Sequence, residues 1–491
     1  MNKRIDSKYN VVIIGAGIGG LVSGCYLAKA GVKVLLVEKH DKVGGYCTSF
    51  RKNGYLFDAA VHYIGAARHE GEINRIVEQL NLKDTVIFSR FDPCDKICLP
   101  EHTLFIRQRY HDTMEEFISK FPKSKKKIID FFNLVMTKQF FYIYSKLKRA
   151  SFKELLDEFF DDYKIKGTIA TLLGNMGLPP SKISALTAVF LYREFILDPG
   201  YYPKGGIQAF PDALAQKFVK LGGDLVLLTK ATKIFVKNNK VSGIEINNNK
   251  FINSDYVVSN VDASQTFFEL VKESNKSMSQ ILSRMEPSIS AFAVYLGLNS
   301  DLKKELKDKC AVWKFFTYDI EKCYGSPELN LQDAKLNYFV CTFPSLHDST
   351  VLPQGKSTMG IFICAPFMDK IFWDVNKVRI ADKLINAATE IVPSLNDEIE
   401  IKIIATPYTF YRYTLNKSGA IYGWASTPSQ IDREICPQET YIEGLYLAGH
   451  WCTNGLGQGG VSEVAYTGRR AAKLIVKKMK QHSVRYSSVI T

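Results

Sequence analysis

The stretch that decides the fold lies at residues 11–38 and reads VVIIGAGIGGLVSGCYLAKAGVKVLLVE. An apolar strand at Val11–Ile14 leads through a glycine turn into an amphipathic helical run to Ala30, and a second apolar strand, Lys33–Val37, ends at Glu38. A G-x-G-x-x-G motif signals dinucleotide binding when it joins a strand to a helix and an acidic residue follows the next strand. The stretch meets all of these conditions. It therefore predicts a Rossmann-like nucleotide site rather than a merely close-packed turn.

The glycines of this turn have separate roles. Gly15 permits the tight turn, Gly17 lets the backbone approach a pyrophosphate at the positive end of the helix, and Gly20 lets the helix pack close to the strand. Glu38 is placed to accept hydrogen bonds from ribose hydroxyls. We assign to the cofactor site Gly15, Gly17, Gly19, Gly20, Glu38 and the adjacent Lys39.

Two further glycine-rich segments identify the nucleotide as FAD. Gly44 and Gly45 follow the acid closely and would let the chain run tightly against the phosphates and the flavin edge. Residues 444–450 predict a short buried strand, and a loop at 454–460 (NGLGQGG) leads into a helix-like run. A second helix N-terminus suits a flavin because its dipole stabilises the anionic reduced ring. We predict non-covalent FAD that is also contacted by Gly44, Gly45, Gly449, Gly457, Gly460 and Val461.

Length and composition limit the remaining choices. The chain has 491 residues, of which 46% are hydrophobic, so we expect two or three lobes rather than one core. Ten cysteines without C-x-x-C spacing or nearby histidines predict reduced, buried thiols and no metal site. The first residues contain no apolar signal-peptide region, and no apolar run approaches the length of a membrane span. We therefore expect a cytoplasmic protein.

The net charge of +14 indicates an anionic partner. Lysines at 120–127 precede aromatic residues at 131–144, an order more typical of an interfacial membrane segment than of a nucleic-acid reader. The alternative is a solvated lysine face over an ordinary aromatic core. A second basic cluster, at 469–485, lies near a helix C-terminus, where cations are favourable for structural reasons. We expect peripheral membrane association between about Lys120 and Phe160, and no nucleic-acid binding.

The pattern along the chain predicts an α/β protein in which a Rossmann-like FAD-binding domain is combined with a mixed-sheet substrate domain and a helical lobe. The FAD-binding domain is discontinuous, because glycine turns lie near both ends of the sequence, and short alternating runs between 224 and 258 predict a β-meander within it. The predicted boundaries are 1–85, 205–288 and 425–491 for the FAD-binding domain, 86–204 for a mostly helical substrate or membrane lobe, and 289–424 for a β-rich substrate domain.

Further motifs carry a family resemblance over nearly the whole chain. They are GGYCTSF at 44–50, GYLFD at 54–58, HYIG at 62–65, YPKGG at 202–206, PQGK at 353–356, ATP at 405–407, AIYG at 420–423 and the closing segment 449–468. With residues 15–38 they resemble the phytoene desaturase superfamily of FAD oxidoreductases. The segments around His62 and Tyr422 favour its retinol saturase and carotenoid isomerase branch. The sequence departs from the family pattern at Tyr46, where many members have arginine, and at Asn454, where a proline often precedes the glycines.

The resemblance implies a fold of the glutathione-reductase and amine-oxidase type with one non-covalent FAD. It also implies a long apolar tunnel, reached from a membrane, in which carbon-carbon double bonds of isoprenoid polyenes are saturated, desaturated or isomerised. Hydride chemistry belongs to the flavin, so the protein mainly orients the polyene and excludes water. A proton donor or acceptor is still needed beside the reacting carbon, and His62 and Tyr422 are the candidate catalytic residues. The alternatives are a core histidine bonded to a backbone carbonyl and a packing tyrosine.

Two other functions remain open at the level of sequence. A flavin amine oxidase shares the scaffold but needs an aromatic cage that faces the flavin, and the many tyrosines are compatible with one. A non-catalytic isoprenoid carrier like the Rab GDP-dissociation inhibitors resembles the fold without using FAD, which the second glycine motif argues against. The sequence leaves open the length of the substrate, the direction of the redox reaction, NAD(P)H as the reductant and the oligomeric state.

Overall fold

The structure is a computed structural model that describes residues 5–137, 139–247, 249–272, 276–326, 331, 336–348, 350, 352–431, 435–452 and 460–487. Its strands are β1 (Lys8–Ile14), β2 (Val34–Val37), β3 (Ser49–Lys52), β4 (Tyr55–Asp58), β5 (Phe88–Arg90), β6 (Asp95–Cys98), β7 (Thr103–Ile106), β8 (Tyr201–Pro203), β9 (Asp224–Val226), β10 (Ala231–Lys237), β11 (Lys240–Ile246), β12 (Lys250–Ser259), β13 (Ser290–Leu298), β14 (Ala311–Phe315), β15 (Tyr338–Thr342), β16 (Ser357–Ala365), β17 (Ile399–Ala405) and β18 (Leu445–Leu447).

Six of the described α-helices lie between residues 110 and 196. The α-helices are Ile18–Lys29, Glu72–Gln79, Tyr110–Lys120, Lys125–Met136, Phe140–Leu147, Phe152–Phe159, Tyr163–Ala170, Ala185–Leu191, Ala209–Lys220, Lys276–Arg284, Ile320–Gly325, Pro344–His347, Lys370–Ala388, Leu395–Glu398, Pro407–Thr414 and Val461–Ser487. Short 3₁₀ segments lie at Pro122–Ser124, Thr171–Asn175 and Lys417–Gly419, and π-helical turns lie at Tyr192–Ile196 and Gln265–Val271.

The first sheet runs in the order β10-β11-β12-β1-β2-β9, and β18 pairs with β12 beside β11. Strands β18, β12, β1 and β2 are parallel, so their carboxyl ends meet at one edge. Val11, Val12 and Ile13 of β1 are fully buried, because helices cover both faces of a parallel sheet. The run at 224–228 does not join the predicted meander, because β9 pairs parallel with β2 on the far side of the sheet.

The second sheet runs in the order β17-β13-β16-β15-β14-β6-β7 and is antiparallel except where β14 meets β6. All nine residues of β13 are buried, and they alternate between two cores. Phe292 and Val294 share a cluster with Trp373 of the helix Lys370–Ala388. Ala293 and Tyr295 face the opposite way. Both faces of this sheet are therefore covered, and on the second face Tyr295 packs with Tyr55 and Phe57 of β4.

Strands β6 and β7 fall within residues 86–204, where the sequence predicts a mostly helical lobe, yet they pair into the second sheet. The apolar alternation of β6 is hidden by Asp95. Its buried carboxylate accepts hydrogen bonds from Tyr63 Oη at 2.7 Å and Trp313 Nε1 at 2.9 Å. The helices that follow share one core with the sheet, including Phe131 and Phe132. The three-part division of the chain stays a prediction.

Candidate functional site

A cavity of about 1140 Å³ runs from the carboxyl edge of the first sheet to the second sheet and the helical segment. Among the predicted cofactor residues, those that line it are Gly15, Gly17, Glu38, Lys39, Gly44, Gly45, Gly449, Gly460 and Val461. Gly457 lies outside the described residues. The structure therefore brings predicted residues from both ends of the sequence to one cavity.

The turn after β1 explains which glycines border the cavity and which pack. Gly15 has a φ of +95°, which favours glycine, and Gly17 lies immediately before the helix Ile18–Lys29. A Cβ on Gly20 would lie 2.1 Å from the carbonyl oxygen of Gly15, and one on Gly19 would lie 2.5 Å from Asn260 Oδ1. Gly19 and Gly20 therefore hold the helix against the strands without lining the cavity.

The Gly44–Gly45 segment crosses this turn closely. The backbone N–H of Gly44 donates to the carbonyl of Ala16 at 2.8 Å, and Gly44 pairs with Gly17 in an isolated bridge. Gly44 and Gly45 have φ angles of +120° and +60°, and a Cβ on Gly45 would lie 3.4 Å from the Cα of Gly17. A Cβ on Gly44 would also lie 2.5 Å from the carbonyl oxygen of Cys47. Side chains at these two positions would therefore prevent the close approach of this segment to the turn after β1.

Glu38 directly follows β2 at the same edge and is 9% exposed. Its Oε2 accepts the backbone N–H of Ala16 at 2.8 Å, and its Oε1 accepts that of His40 at 3.0 Å. A carboxylate oxygen has two lone pairs, so each oxygen keeps one for a hydroxyl group. The two backbone hydrogen bonds therefore hold the Glu38 carboxylate in a fixed orientation on the wall of the cavity. Burial lowers the pKa of the neighbouring Lys39.

The second strand-turn-helix unit faces the first one. Gly449 follows β18, has a φ of +89° and donates its N–H to Thr467 Oγ1 at 2.9 Å. Gly460 and Val461 open the helix Val461–Ser487 on the cavity wall. Two helix N-termini therefore border one cavity, as a dinucleotide with an anionic ring requires.

Sequence reasoning missed Asn260, which lies between the two glycine turns. Its Nδ2 donates to the carbonyl of Gly15 at 3.3 Å, and its buried Oδ1 has no hydrogen-bond partner in the part of the chain that the structure describes. A Cβ on Gly449 would lie 2.8 Å from this oxygen. The available signal was its position directly after β12, because residues that follow parallel strands meet at one edge.

These features fit a flavin dinucleotide. The glycine turn after β1 leaves room for a pyrophosphate beside a helix N-terminus, Glu38 offers acceptors for ribose, and Asn260 offers an unpartnered polar atom between the two turns. Gly449 and Val461 bring the N-terminus of the second helix to the same cavity. The residues present could therefore hold FAD along the edge of the sheet.

His62 lines the same cavity, beyond the glycine turns. Burial lowers the pKa of His62 to about 4, although a hydrogen bond with the backbone of Ala60 raises it. Its Nε2 is buried and has no partner among the described residues, so the bond to Ala60 uses Nδ1. The ring is therefore neutral at pH 7, with Nδ1–H donated to a backbone carbonyl and Nε2 left as an acceptor.

Tyr422, the other candidate catalytic residue, also lines the cavity. Its hydroxyl donates to the carbonyl of Gly174 at 3.2 Å, and its backbone N–H donates to Ser288 Oγ at 2.9 Å. Burial raises the pKa of the Tyr422 hydroxyl well above its usual range. Tyr422 therefore ties the loop before Trp424 to the helical segment and stays protonated.

The middle of the cavity is aromatic. Tyr46 lies 5.9 Å from His450 and 6.1 Å from Phe410 between ring centroids. The Tyr46 hydroxyl donates to the carbonyl of Ala420 at 2.9 Å and accepts from Asn416 Nδ2 at 3.3 Å. Burial lowers the pKa of His450 to about 4. Tyr46, which stands at the position where the resemblance leads one to expect arginine, therefore anchors the 416–420 loop rather than presenting a charge.

The far part of the cavity is lined by the helical segment, including Met176, Phe190 and Leu191. Glu194 also lines it, on the π-helical turn Tyr192–Ile196. Its carboxylate accepts from Arg68 Nη2 at 2.8 Å and from Arg193 Nε at 3.0 Å. The charge of Glu194 is therefore matched by two guanidinium groups, and the remaining lining here is largely apolar.

Comparison with known proteins places the chain in a flavoprotein family. The model of the family described as flavin containing amine oxidoreductase matches residues 18–357. The chain is 24% identical to all-trans-retinol 13,14-reductase of Danio rerio (91% of this chain, 83% of the relative) and 26% identical to the chloroplastic prolycopene isomerase of Daucus carota (94% and 79%). It is also 24% identical to a 4,4'-diapophytoene desaturase of Methylomonas sp (98% and 97%). The resemblance to the phytoene desaturase superfamily and its retinol saturase and carotenoid isomerase branch is confirmed.

Solved structures confirm the fold class. An oxidoreductase from Methanosarcina mazei superposes with a TM-score of 0.69 at 18% identity, over 95% of this chain and 100% of that one. Cyclohexylamine oxidase from Brevibacterium oxydans superposes with a TM-score of 0.63 at 13% identity, over 96% and 99%. These likenesses establish the fold alone, whereas the family match covers more than half of the sequence. The chain belongs to the family of flavin containing amine oxidoreductases.

Proposed function

We propose that this protein binds FAD non-covalently and saturates, desaturates or isomerises carbon-carbon double bonds of an apolar isoprenoid polyene. The observation that carries the proposal is a single cavity that joins the two glycine turns to an aromatic and apolar lining. The retinol reductase, prolycopene isomerase and diapophytoene desaturase relatives support the same substrate class. Among the ionisable groups described above, Glu194 is engaged by two arginines and both histidines are neutral.

A bound flavin would supply the hydride chemistry at the reacting carbon. The residues of this chain hold the polyene and exclude water, because the rings of Tyr46, Phe410 and Tyr295 form the wall of the cavity. His62 lines the same cavity, its buried Nε2 has no partner among the described residues, and it is the residue that we propose to accept and hold a proton. Tyr422 keeps its hydroxyl on a backbone carbonyl, which favours a packing role.

The purified protein tests this proposal directly. FAD-loaded protein, reduced without oxygen, is given retinoids and cis and trans carotenoids, and the oxidised protein is given the same compounds. NADPH is added as reductant in a separate arm. We expect a shifted polyene absorption spectrum or a changed isomer pattern in one redox state. An amine that bleaches the oxidised flavin while every polyene is unchanged would instead establish the amine oxidase function, and a colourless preparation that binds isoprenoids would establish a carrier.

The pKa of His62 predicts the pH dependence of the reaction. The acceptor form is the neutral ring, and its pKa is about 4 in the folded protein, so the single-turnover rate should stay constant from pH 8 to about pH 5 and fall as the pH approaches 4. His62→Gln should lower this rate about a hundredfold, the lower end of the effect of general acid-base groups. An acid limb near the ordinary histidine pKa, about 6.5, would contradict this assignment.

We also propose that the protein associates with a membrane surface, because an apolar polyene is dissolved in lipid. No helix in the described ranges has both the length and the apolar character to cross a bilayer. In the segment predicted to dock, Phe131 and Ile143 are buried, whereas Phe141 is 86% exposed. The basic residues Lys123 and Lys125 are exposed as well. This segment therefore offers charge and few apolar anchors.

A second surface has the reverse composition. We call it the mouth patch, and it consists of the exposed side chains Phe367, Ile371, Val375, Val378 and Tyr411. Ile371 and Val375 are 75% and 74% exposed, one turn apart on the helix Lys370–Ala388, and Phe367 meets Tyr411 at 5.7 Å between ring centroids. The cavity reaches the surface beside the mouth patch. The helices Lys370–Ala388 and Pro407–Thr414, which carry most of the patch, also contribute exposed residues to the cavity lining: Lys370, Asp374 and Arg412. We propose that the mouth patch lies against the lipid while the basic segment assists electrostatically.

A further inference from the structure

His450 lines the cavity without a hydrogen-bond partner for its ring in the part of the chain that the structure describes. It directly follows Gly449, at the carboxyl edge of the first sheet. Burial lowers the pKa of His450, yet the residue keeps accessible surface. A side chain that lies deep in the protein and is still accessible faces an internal space. The accessible surface of His450 therefore faces the cavity.

The two other histidines of the described cavity wall are engaged by the backbone. His40 Nε2 lies 2.7 Å from the carbonyl oxygen of Tyr413, and His62 is hydrogen-bonded to Ala60. The neutral ring of His450 offers one donor and one acceptor, and no described residue uses either. A polar atom that loses water without gaining a partner costs free energy. The ring therefore needs a polar group on the ligand that displaces water from the cavity.

His450 is held in place by packing before any ligand binds. Its ring lies 5.9 Å from that of Tyr46 and meets Trp451 edge-on at 5.5 Å between centroids. A Cβ on Gly423 would overlap the carbonyl oxygen of His450, so the backbone is packed as closely as the ring. Asn416 ties the two supporting rings together, because it accepts from Trp451 Nε1 at 3.1 Å and donates to Tyr46 Oη at 3.3 Å. The ring is therefore preorganised for one ligand position.

The place of His450 along the sheet indicates which part of the cofactor it meets. Glu38 follows β2 and the glycine turn follows β1, whereas His450 follows β18, two strands beyond β1 along the parallel edge. With ribose at Glu38 and pyrophosphate at the glycine turn, the flavin half of the dinucleotide is the part left for this end. Tyr46 also meets Phe410, which belongs to the core beside the second sheet. An aromatic wall suits the flat flavin ring.

On the basis of the proposed FAD site, we infer that His450 donates a hydrogen bond to the polar edge of the bound flavin ring. The reduced ring carries a negative charge, and the N-terminus of the helix Val461–Ser487 borders the same cavity. A hydrogen bond to a charged group is stronger than one to a neutral group. The contact therefore stabilises the reduced flavin more than the oxidised flavin and raises its reduction potential.

The reduction potential of the bound FAD tests this contact without any substrate. His450→Phe keeps a ring against Tyr46 and removes both nitrogens. We expect the affinity for reduced FAD to fall about tenfold relative to that for oxidised FAD, which lowers the potential by about 30 mV. His450→Gln keeps a donor and an acceptor and should restore most of the potential. His102→Phe is the matched control, because its ring also packs edge-on, against Phe121 at 5.1 Å, and lies outside the cavity lining. Its potential should equal that of the wild type.

An unchanged potential in FAD-loaded His450→Phe would overturn the contact with the flavin ring, and so would an equal shift in His102→Phe. A slower polyene reaction at an unchanged potential would assign His450 to the substrate instead. If His450→Phe retains no FAD, recovery of FAD binding and of the wild-type potential in His450→Gln would support the hydrogen bond, and failure to recover them would overturn it. A wild-type protein that binds no FAD would overturn the cofactor site itself.

Discussion

Gly17→Val is expected to remove FAD from the protein. Gly17 lines the cavity at the N-terminus of the helix Ile18–Lys29, and even a Cβ there would lie 2.9 Å from Asn260 Nδ2. Overpacking a rigid site costs about 1–3 kcal/mol. The branched side chain also moves the phosphates away from the backbone N–H groups, so FAD affinity should fall at least about tenfold. The measurement is the flavin-to-protein ratio after purification, followed by FAD titration of the apoprotein.

Gly325→Ala is the matched control, because its φ is not in the left-handed region and, among the described residues, a Cβ there would meet Pro179 at an ordinary 3.5 Å and nothing closer. That variant should retain wild-type flavin content. Glu38→Ala should weaken FAD binding less than Gly17→Val, since it removes ribose acceptors and leaves the phosphate site open. Acid denaturation of the wild type should release all of the flavin into the supernatant. Flavin retained on the precipitated chain would contradict non-covalent binding, and unchanged affinity in Gly17→Val would mean that the pyrophosphate lies elsewhere.

Introducing two charges into the mouth patch is expected to abolish most membrane binding. Ile371→Glu/Val375→Glu removes the two most exposed side chains of the patch, each of which would contribute about 1.5–3 kcal/mol on full burial in lipid. Binding to anionic liposomes, measured by flotation, should weaken at least about tenfold. The remaining affinity should be sensitive to salt, because it arises from lysines.

Val219→Glu/Leu228→Glu is the matched control, since these side chains are 51% and 70% exposed and lie outside both the cavity and the mouth patch. It should float like the wild type. Charge reversal of the basic segment, at Lys123, Lys125, Lys126 and Lys127, should lower binding at low salt and have little effect at high salt. If charge reversal abolishes flotation while the variant of the mouth patch floats normally, the basic segment is the docking surface.

The sequence was sufficient for features that depend on local spacing. The strand-glycine-helix unit at 11–38 has a regular period, so the position of its strands and helix agrees closely with the structure. Strand β6 was missed because Asp95 points into the core. The aromatic residues of the basic segment have a helical period that fits either a lipid-facing surface or a core, and contacts with distant helices place Phe131 in the core.

The residue of the cofactor site that sequence reasoning missed is Asn260. Asn260 belongs to no motif, and it becomes distinctive only because the fold sets it between the two glycine turns and leaves its buried Oδ1 without a partner among the described residues. Such an atom depends on contacts between segments more than a hundred residues apart. The spacing of residues along the chain does not reveal such long-range contacts. It does reveal the glycine turns, because their shape is set within a few residues.

The arrangement of β1, β12 and β18 also has a consequence during synthesis. Strand β18, which brings Gly449 to the edge of the sheet, begins at residue 445, whereas β1 ends at residue 14. At about 5–20 residues per second, a ribosome makes β18 some tens of seconds after β1 has emerged. The nascent chain must therefore keep the carboxyl edge of a half-built sheet from aggregating during that interval, with no complete nucleotide site to stabilise it. FAD can act as a folding ligand only after β18 and the start of the helix that follows it have been made.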